Sequence, residues 1–157
     1  VGKLQKVWRH PNADSLYCEE IDLGEEKGVR NVVSGLVGKV DLEAKVGTHL
    51  VVVSNMKPSK MRGVESQAMV LAAFDKNDAA KTELVVPPEG SKAGDRIFVQ
   101  GFEGEPDEQL NPRKKVFEQI QPNFGTNDEC VATYSGTPLQ TSNGNCTVAS
   151  LKGAGVK

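Results

Sequence analysis

The sequence has few of the residues on which catalysis and metal binding usually depend. It contains only two histidines, His10 and His49, which are too few and too far apart for a metal site of known spacing. Neither the phosphate-binding pattern GxxxxGK[ST] nor the nucleophile-elbow pattern GxSxG occurs. The acidic run over residues 19–26 is more typical of a solvated strand edge and hairpin than of a catalytic pair of carboxylates. The sequence therefore predicts no enzyme, no metal and no cofactor.

Cysteine is scarce, and long apolar runs are missing. The three cysteines, Cys18, Cys130 and Cys146, form no CxxC pair, which argues against a zinc knuckle and a disulfide framework. Cys130 and Cys146 could meet across neighbouring strands, but buried free thiols in a reducing cytoplasm fit the odd count better. No run approaches the roughly 18 apolar residues that a membrane helix needs. The first residues contain neither Met nor an apolar signal segment, so we expect a cytoplasmic fragment of a longer chain.

Charge of neither sign dominates. Nineteen lysines and arginines stand against 21 aspartates and glutamates, so the net charge of −2 gives no global attraction for a polyanion. The distribution is uneven, because residues 1–13 and residues 55–63 each contain three cations and no acid. A face that binds anions must therefore be a local patch made by folding.

Glycine and proline separate short β-branched runs, which is typical of an all-β protein. Apolar residues spaced by three in the opening segment predict a strand with a bulge, and Asp41 is suited to cap a short helix over residues 42–45. Further strands are predicted over residues 16–23, 30–34, 49–53, 67–73 and 96–99. These six segments, with one short helix after the third, contain the five strands and helix of an oligonucleotide-binding (OB) barrel, although an SH3-like barrel or a small sandwich has a similar strand count.

The pattern changes after residue 101, and we predict a boundary near residue 102. Asn111-Pro112 is a strong helix start, with Asn as the N-cap and Pro at the first helical position. Two strands are predicted over residues 130–134 and 147–151. A piece of about 55 residues is near the lower limit for burying its own core. Residues 103–157 are therefore expected to form a β-rich appendix, with a helix, packed on the barrel of residues 1–102.

The most informative segment runs from Asn55 to Met69. It leaves a strand, presents Lys57, Lys60 and Arg62 within six positions, and returns to a strand through small polar residues. Like charges held side by side repel each other, so this arrangement is favourable mainly when an anion relieves it. Lysine offers a point charge to phosphate, and arginine offers a fork that bridges two phosphate oxygens. The spacing alone leaves two interpretations open, a phosphate-binding loop and a solvated turn between strands.

Several short motifs, specific as a set, run through the whole chain. They are Val1-Gly2-Lys3, residues 10–17, Val32-Val33-Ser34-Gly35-Leu36, residues 55–69, Pro87-Pro88, Gly94-Asp95-Arg96, Leu110-Asn111-Pro112 with Lys114-Lys115, and Thr126-Asn127-Asp128. On these residues the chain resembles the tRNA-binding domain family typified by endothelial monocyte-activating polypeptide II. Such domains also end some eukaryotic tyrosyl- and methionyl-tRNA synthetases and occur alone in synthetase cofactors.

The resemblance implies an OB barrel that grips folded tRNA at its outer corner without reading the anticodon sequence. The tRNA contacts that it implies by motif position are Lys3, Ser34, Asn55, Lys57, Lys60, Arg62, Ser66, Gln67 and Met69. The basic run at the predicted helix start is expected to add a phosphate contact. Cations at a helix N-terminus interact unfavourably with the helix dipole, so stability of the fold is a weak reason for their presence. That run is Arg113, Lys114 and Lys115.

The composition agrees with recognition of RNA shape. Aromatic residues make up only 5% of the chain, whereas binders of single-stranded RNA usually rely on exposed aromatic platforms worth about 1–3 kcal/mol per base. Trp8 is expected to pack at the core or its rim. Contacts to the phosphates and 2′-hydroxyls of a preformed RNA are therefore expected to dominate over base stacking.

The resemblance also implies how the chain assembles. Residues 103–157 would imitate the second subunit of dimeric bacterial relatives, so a monomer with an internal pseudo-dimer interface is expected. The implied partners are tRNA and an aminoacyl-tRNA synthetase, in cis or in trans, and no membrane. The alternative is a protein-interaction or cytokine-like signalling domain that uses the same fold.

Overall fold

The computed structural model describes residues 1–157 as a mostly β protein with one short α-helix. The strands are β1 (Gly2–Arg9), β2 (Tyr17–Asp22), β3 (Arg30–Ser34), β4 (His49–Leu50), β5 (Val52–Val53), β6 (Ser59–Met61), β7 (Val64–Ser66), β8 (Met69–Val70), β9 (Ala72–Asp75), β10 (Asp78–Leu84), β11 (Phe98–Val99), β12 (Phe124–Thr126), β13 (Ala132–Tyr134), β14 (Thr137–Thr141), β15 (Gly144–Asn145) and β16 (Gly155–Val156). The helix α1 covers Val116–Ile120, and 3₁₀ turns cover Leu42–Lys45, Pro112–Lys114 and Gln121–Asn123. None of these helical segments has the length and apolar character that crossing a membrane requires.

The first three strands form an antiparallel meander, to which β4 adds. The sheet order is β3-β2-β1-β4, and a register shift between Leu4 and Lys6 confirms the predicted bulge. Asp41 caps the predicted helical turn by accepting a hydrogen bond from the Ala44 N–H at 3.4 Å. Alternate side chains of the strands turn inward, because successive residues of a strand face opposite sides. They build the first core, which contains Leu4, Tyr17, Ile21, Val32, Leu36, Leu42, Leu50, Ala68, Val70, Ala72 and Leu84.

The far side of the first core is covered by short pieces rather than by one continuous ladder. β5 pairs with β8, and β6 pairs with β7. The chain that follows β7 joins β3 through the Gln67 N–H, which donates to the Asn31 carbonyl at 2.8 Å. The strand predicted over residues 49–53 is interrupted at Val51, whose side chain belongs to a second core. The structure is therefore all-β around this core, and its backbone ladders do not close completely.

A second sheet draws on both predicted parts of the chain. Its order is β10-β9-β16-β12-β13-β14-β11, with β15 beside β14. The second core beneath it contains Val51, Leu71, Ala73, Val85, Phe117, Ala132, Leu139, Cys146, Val148, Ala154 and Val156. Residues before and after position 102 thus share one sheet and one core, and the boundary at 102 stays a prediction.

The helix start predicted at Asn111-Pro112 is confirmed, but the helix is broken. Asn111 Oδ1 accepts a hydrogen bond from the Arg113 N–H at 3.0 Å and caps the 3₁₀ turn. Lys115 then adopts a positive φ of 47° and separates this turn from α1. The helical part of the appendix consequently consists of the 3₁₀ turn Pro112–Lys114 and, after Lys115, of α1 with the 3₁₀ turn Gln121–Asn123 that follows it, rather than of one continuous helix.

The strand predicted over residues 147–151 is wrong. Thr147 forms isolated bridges to Val86 and Val131, and the Val148 N–H donates to the Cys130 carbonyl, but no continuous strand forms. The reason is a side chain far away in sequence, since the Glu83 carboxylate accepts the N–H groups of Ser150 and Leu151 at 2.8 and 2.9 Å. These N–H groups cannot then join a strand ladder.

The cysteines are free thiols, and the expectation that they are buried is confirmed for two of the three. Cys18 and Cys146 are buried, whereas Cys130 is half-buried. Burial raises the pKa of Cys146 to about 11. This thiol is therefore an inert part of the second core.

Glu19 departs from the solvated acidic run predicted from the sequence. It is fully buried, on the same face of β2 as Tyr17 and Ile21. Its carboxylate oxygens lack hydrogen-bond partners, and the Ser34 hydroxyl approaches without a bond of normal geometry. Burial raises the pKa of Glu19 to about 8, and Ser34 offsets only part of this rise. The carboxyl is therefore neutral at pH 7, because ionising it here would leave an unpaired buried charge.

Replacing Glu19 with glutamine is expected to remove a pH dependence of stability. In the unfolded chain the carboxyl ionises near its ordinary pKa of 4.5, whereas in the folded protein it keeps its proton up to about pH 8. The unfolded state binds fewer protons across this window, so the free energy of unfolding falls by roughly 2–3 kcal/mol from pH 5 to pH 7. Denaturant unfolding of the unchanged protein and of Glu19→Gln across this range measures the effect. Equal pH slopes for the two proteins contradict it.

Candidate nucleic-acid interface

The cationic segment predicted as a loop folds as a β-hairpin made of β6 and β7. Met61 lies opposite Val64, which leaves Arg62 and Gly63 as a two-residue turn. Their φ angles are 53° and 87°, as a type I′ turn requires. Glycine adopts this backbone freely, whereas a residue with a Cβ does so at a cost of about 1–2 kcal/mol. The tip of the hairpin therefore holds a charged side chain on a strained backbone.

Arg30 holds the two ends of the hairpin segment together. Its Nη1 donates to the Ser54 carbonyl at 2.6 Å and to the Gln67 carbonyl at 2.9 Å. Its Nε and Nη2 donate to the Glu25 carboxylate at 2.7 and 2.8 Å, which fixes the guanidinium from behind and lowers the pKa of Glu25. Nothing in the sequence marks Arg30 for this position, because its partners come from three separate segments.

Two of the predicted site residues, Ser66 and Gln67, attach the hairpin to β3. The Ser66 hydroxyl accepts a hydrogen bond from the Val33 N–H and donates one to the Ala68 carbonyl, both at 3.0 Å. Gln67 Oε1 accepts a hydrogen bond from the Asn31 N–H at 2.8 Å. The Ser66 hydroxyl is therefore engaged in the free protein, while Gln67 keeps an unengaged amide NH₂ group.

A third contact joins the hairpin to the turn that follows β1. His10 is buried, and its Nδ1 accepts a hydrogen bond from the Asn12 N–H at 2.9 Å. Its Nε2 lies 3.0 Å from the Met61 carbonyl. Because Nδ1 is an acceptor here, the neutral ring must carry its proton on Nε2, which donates to Met61. The hairpin is thus held at its base by Arg30 and near its tip by His10.

A groove of about 590 Å³ opens beside the hairpin. Residues of β3, β8, β9, β10 and α1 form its walls. Four of the residues predicted from the sequence line it, namely Ser34, Lys57, Ser66 and Met69. The Ser34 hydroxyl approaches the Glu19 carboxyl on one side, and because a hydroxyl has one donor and two acceptor positions, it keeps capacity to bond a ligand.

The three cations of the hairpin segment do not lie side by side as their spacing in the sequence suggested. Lys57 lines the groove, and Arg62 occupies the turn. Lys60 lies opposite Glu65, on the other face of the hairpin from Met61, because strand residues alternate. All three cations are exposed and none forms an ion pair. The segment thus presents positive charge beside the groove at Lys57, at the tip at Arg62, and on the other face at Lys60, where Glu65 is its cross-strand neighbour.

Two further lysines, absent from the prediction, line the same groove. Lys39 follows β3, and the Lys157 ammonium lies 4.8 Å from the centre of the Phe74 ring. Glu118 of α1 is the one side-chain carboxylate of the lining. With Lys57, three cations face one anion, so the groove favours a negatively charged ligand. Only folding reveals this, since the three lysines are far apart in sequence.

The remaining predicted residues lie outside the groove. Asn55 Nδ2 donates to the Asp107 carbonyl at 3.1 Å, and its own carbonyl accepts from the Leu110 N–H at 2.6 Å. Lys3 is half-buried on β1, which β2 separates from β3. The residues exposed in the turn before α1 are Arg113, Lys114 and Lys115.

Known proteins are similar in sequence to this chain. The family described as a putative tRNA binding domain matches residues 1–96. Aminoacyl tRNA synthase complex-interacting multifunctional protein 1 of Mus musculus is 49% identical over 158 residues, covering 100% of this chain and 50% of that protein. Cytoplasmic tyrosine–tRNA ligase of Danio rerio is 48% identical over 157 residues, covering 99% of this chain and 30% of the ligase. The chain thus spans half or less of these relatives.

A solved structure shares the architecture. The C-terminal domain of Plasmodium vivax p43 matches with a TM-score of 0.89 at 32% identity, covering 99% of this chain and 93% of that one. The match takes in both sheets, and the resemblance drawn from the motifs is confirmed. By the family match over residues 1–96 and by relatives that align along its full length, this chain belongs to the tRNA-binding domain family.

Proposed function

We propose that this chain is a non-catalytic module that binds folded tRNA through its shape and backbone. The observation that carries the proposal is the β6–β7 hairpin, which exposes Lys57, Lys60 and Arg62 without ion-pair partners. Such cations break no internal salt bridge when they bind a phosphate. Because Arg30 and His10 hold the hairpin in place, little conformational entropy is lost on binding.

We infer that the hairpin belongs to an OB barrel of five strands. These would be β1, β2, β3, the interrupted strand β4–β5 and the interrupted strand β8–β9. Support comes from the pairing of β1 with β4 and of β5 with β8, and from the Gln67–Asn31 bond that attaches the last strand to β3. OB folds bind nucleic acid with the face of strands 2 and 3 and with the loops 1–2 and 4–5. Here those loops are the His10 turn and the hairpin, which are in contact.

In this proposal the cations contact phosphates, and two polar side chains read the sugar–phosphate surface. Ser34 and Gln67 have unengaged groups suited to 2′-hydroxyls, and Met69 supplies apolar wall. Lys3 on β1 is reached only by an RNA that extends past β2. The proposed phosphate contacts are Lys57, Lys60, Arg62, Arg113, Lys114 and Lys115.

Asn55 and Ser66 act differently in this proposal. Both are engaged within the protein, Asn55 with the segment after residue 102 and Ser66 with β3 and the Ala68 carbonyl. We assign them to positioning the hairpin, with Asn55 Oδ1 left to meet the RNA. Substituting either residue would then weaken tRNA binding by displacing the lysines of the hairpin segment.

We propose that the module serves an aminoacyl-tRNA synthetase in the cytoplasm, fused or bound to it, by raising the local concentration of tRNA. The relatives support this, since one is named a cytoplasmic ligase and another a protein that interacts with a synthetase complex. The sheet shared between residues 1–102 and 103–157 supports a monomer in which the C-terminal part fills the place of a second subunit.

Replacing Lys57, Lys60 and Arg62 together with alanine is expected to abolish tRNA binding and to leave thermal melting nearly unchanged. The three side chains are exposed and unpaired, so their loss removes phosphate contacts but little folding energy. For the unchanged protein, about 4 neutralised phosphates give a slope of log K against log salt near −3. Filter binding between 50 and 250 mM salt measures the affinity and its salt slope, and thermal melting of the variant is measured separately.

The matched control is the triple variant Lys45→Ala, Lys92→Ala and Lys152→Ala. It removes the same charge from exposed positions that do not line the groove. Its affinity should fall far less than that of the hairpin variant. Equal losses in the two triple variants, or a flat salt response of the unchanged protein, contradict the proposed interface.

Arg30→Lys is expected to weaken binding without changing its salt dependence. Lysine keeps the charge, but its single ammonium cannot serve Ser54, Gln67 and Glu25 at once. The free energy of unfolding should fall by about 1–2 kcal/mol. Because lysine retains the positive charge, the salt slope should stay the same.

Lys27→Ala is the control for Arg30→Lys. Lys27 also approaches the Glu25 carboxylate, at 3.7 Å, but it does not reach the hairpin. We expect its tRNA affinity to match that of the unchanged protein. Unchanged affinity in Arg30→Lys, or an equal loss of affinity in Lys27→Ala, contradicts the positioning role of Arg30.

A further inference from the structure

All three methionines of the chain line the groove beside the hairpin. They are Met56, Met61 and Met69, and each is half-buried. Phe74 and Phe117 also stand in the walls. Methionine is flexible and polarizable, so it packs well against flat rings of different shape. The groove thus contains an adaptable apolar surface that phosphate contacts alone do not use.

Charged and polar groups surround this apolar surface. Lys39, Lys57 and Lys157 outnumber Glu118 in the lining, and Ser34 adds a hydroxyl to the wall. A ligand complementary to all of these groups has a flat ring, a hydrogen-bonding edge and a negative charge. A nucleotide has all three, whereas inorganic phosphate leaves the apolar wall unused and an uncharged apolar ligand leaves the lysines unused. The volume of about 590 Å³ is within the usual range for small ligands, about 300–1,000 Å³.

We propose that the groove holds one unpaired nucleotide of the bound RNA, with its base against the methionine and phenylalanine side chains and its phosphate at the lysines. This inference rests on the proposed function, because the nucleotide belongs to the RNA that the hairpin grips. Bases within a duplex are stacked and paired, so the nucleotide comes from a loop, a bulge or an end, where bases can be turned outward. The module would then sense an unpaired position in addition to backbone shape.

Methyl NMR tests the site directly, because every methionine signal of the chain arises from the groove. The protein is labelled at the methionine methyl carbons and titrated with tRNA, with adenosine 5′-monophosphate at millimolar concentration, and with inorganic phosphate. Ring currents of a bound base shift nearby methyl protons upfield. We expect such shifts with tRNA and with the mononucleotide, and none with inorganic phosphate.

Two variants provide an independent measurement on the groove. Met56→Ala and Met61→Ala each shorten its apolar wall, and we expect about 3- to 10-fold weaker tRNA binding. The salt slope should stay unchanged, since apolar contacts release no counterions, whereas Lys57→Ala should lower both the affinity and the slope. Thermal melting confirms that each variant is folded.

The outcomes separate this proposal from the proposed function. Methyl signals that stay in place while the same sample binds tRNA in a filter assay overturn the nucleotide site and leave tRNA binding standing. A sample that binds no tRNA overturns both. Shifts caused by a synthetic acidic leucine-rich peptide, and not by the mononucleotide, identify a protein segment as the occupant and also overturn the nucleotide site.

Discussion

The interface depends on the guanidinium of Arg30. Its bonds to the carbonyls of Ser54 and Gln67 close the base of a hairpin whose cations would otherwise sample many positions. The Glu25 carboxylate neutralises Arg30 and fixes its plane, so the clamp adds no further repulsion to the free cations of the hairpin. Ser66 against β3 and His10 against the Met61 carbonyl complete the attachment. A flexible charged loop thereby becomes a surface of defined shape.

Several features that cost stability lie close to this surface. Arg62 sits on a left-handed backbone at the tip, and Glu19 is buried without partners near Ser34. Neither is favourable for folding, and the two packed cores offset them. Residues that are unfavourable for folding tend to lie at functional sites, where binding or catalysis requires them. Their position here agrees with a surface shaped for binding.

Local signals predicted the elements whose hydrogen bonds stay within short stretches of chain. The strand over residues 30–34, the cap at Asp41 and the helix start at Asn111 were all readable, because a few neighbouring residues decide them. The sequence did not predict the β6–β7 hairpin, because a segment with three cations, Pro58 and Gly63 has the composition typical of a loop. The strand expected over residues 147–151 failed because Glu83, far away in sequence, captures the N–H groups it needed.

The sequence by itself determined the all-β character, the family and the identity of the cationic segment, since these follow from composition, turn residues and local motifs. Only the tertiary structure decided where each charge faces. Strand alternation turned Lys60 away from Met61, which lines the groove together with Lys57, and folding brought Lys39 and Lys157 to the groove from distant parts of the chain. Burial likewise turned Glu19 from an expected surface charge into a neutral core residue. Such outcomes depend on which segments pack together, and no local pattern of residues contains that information.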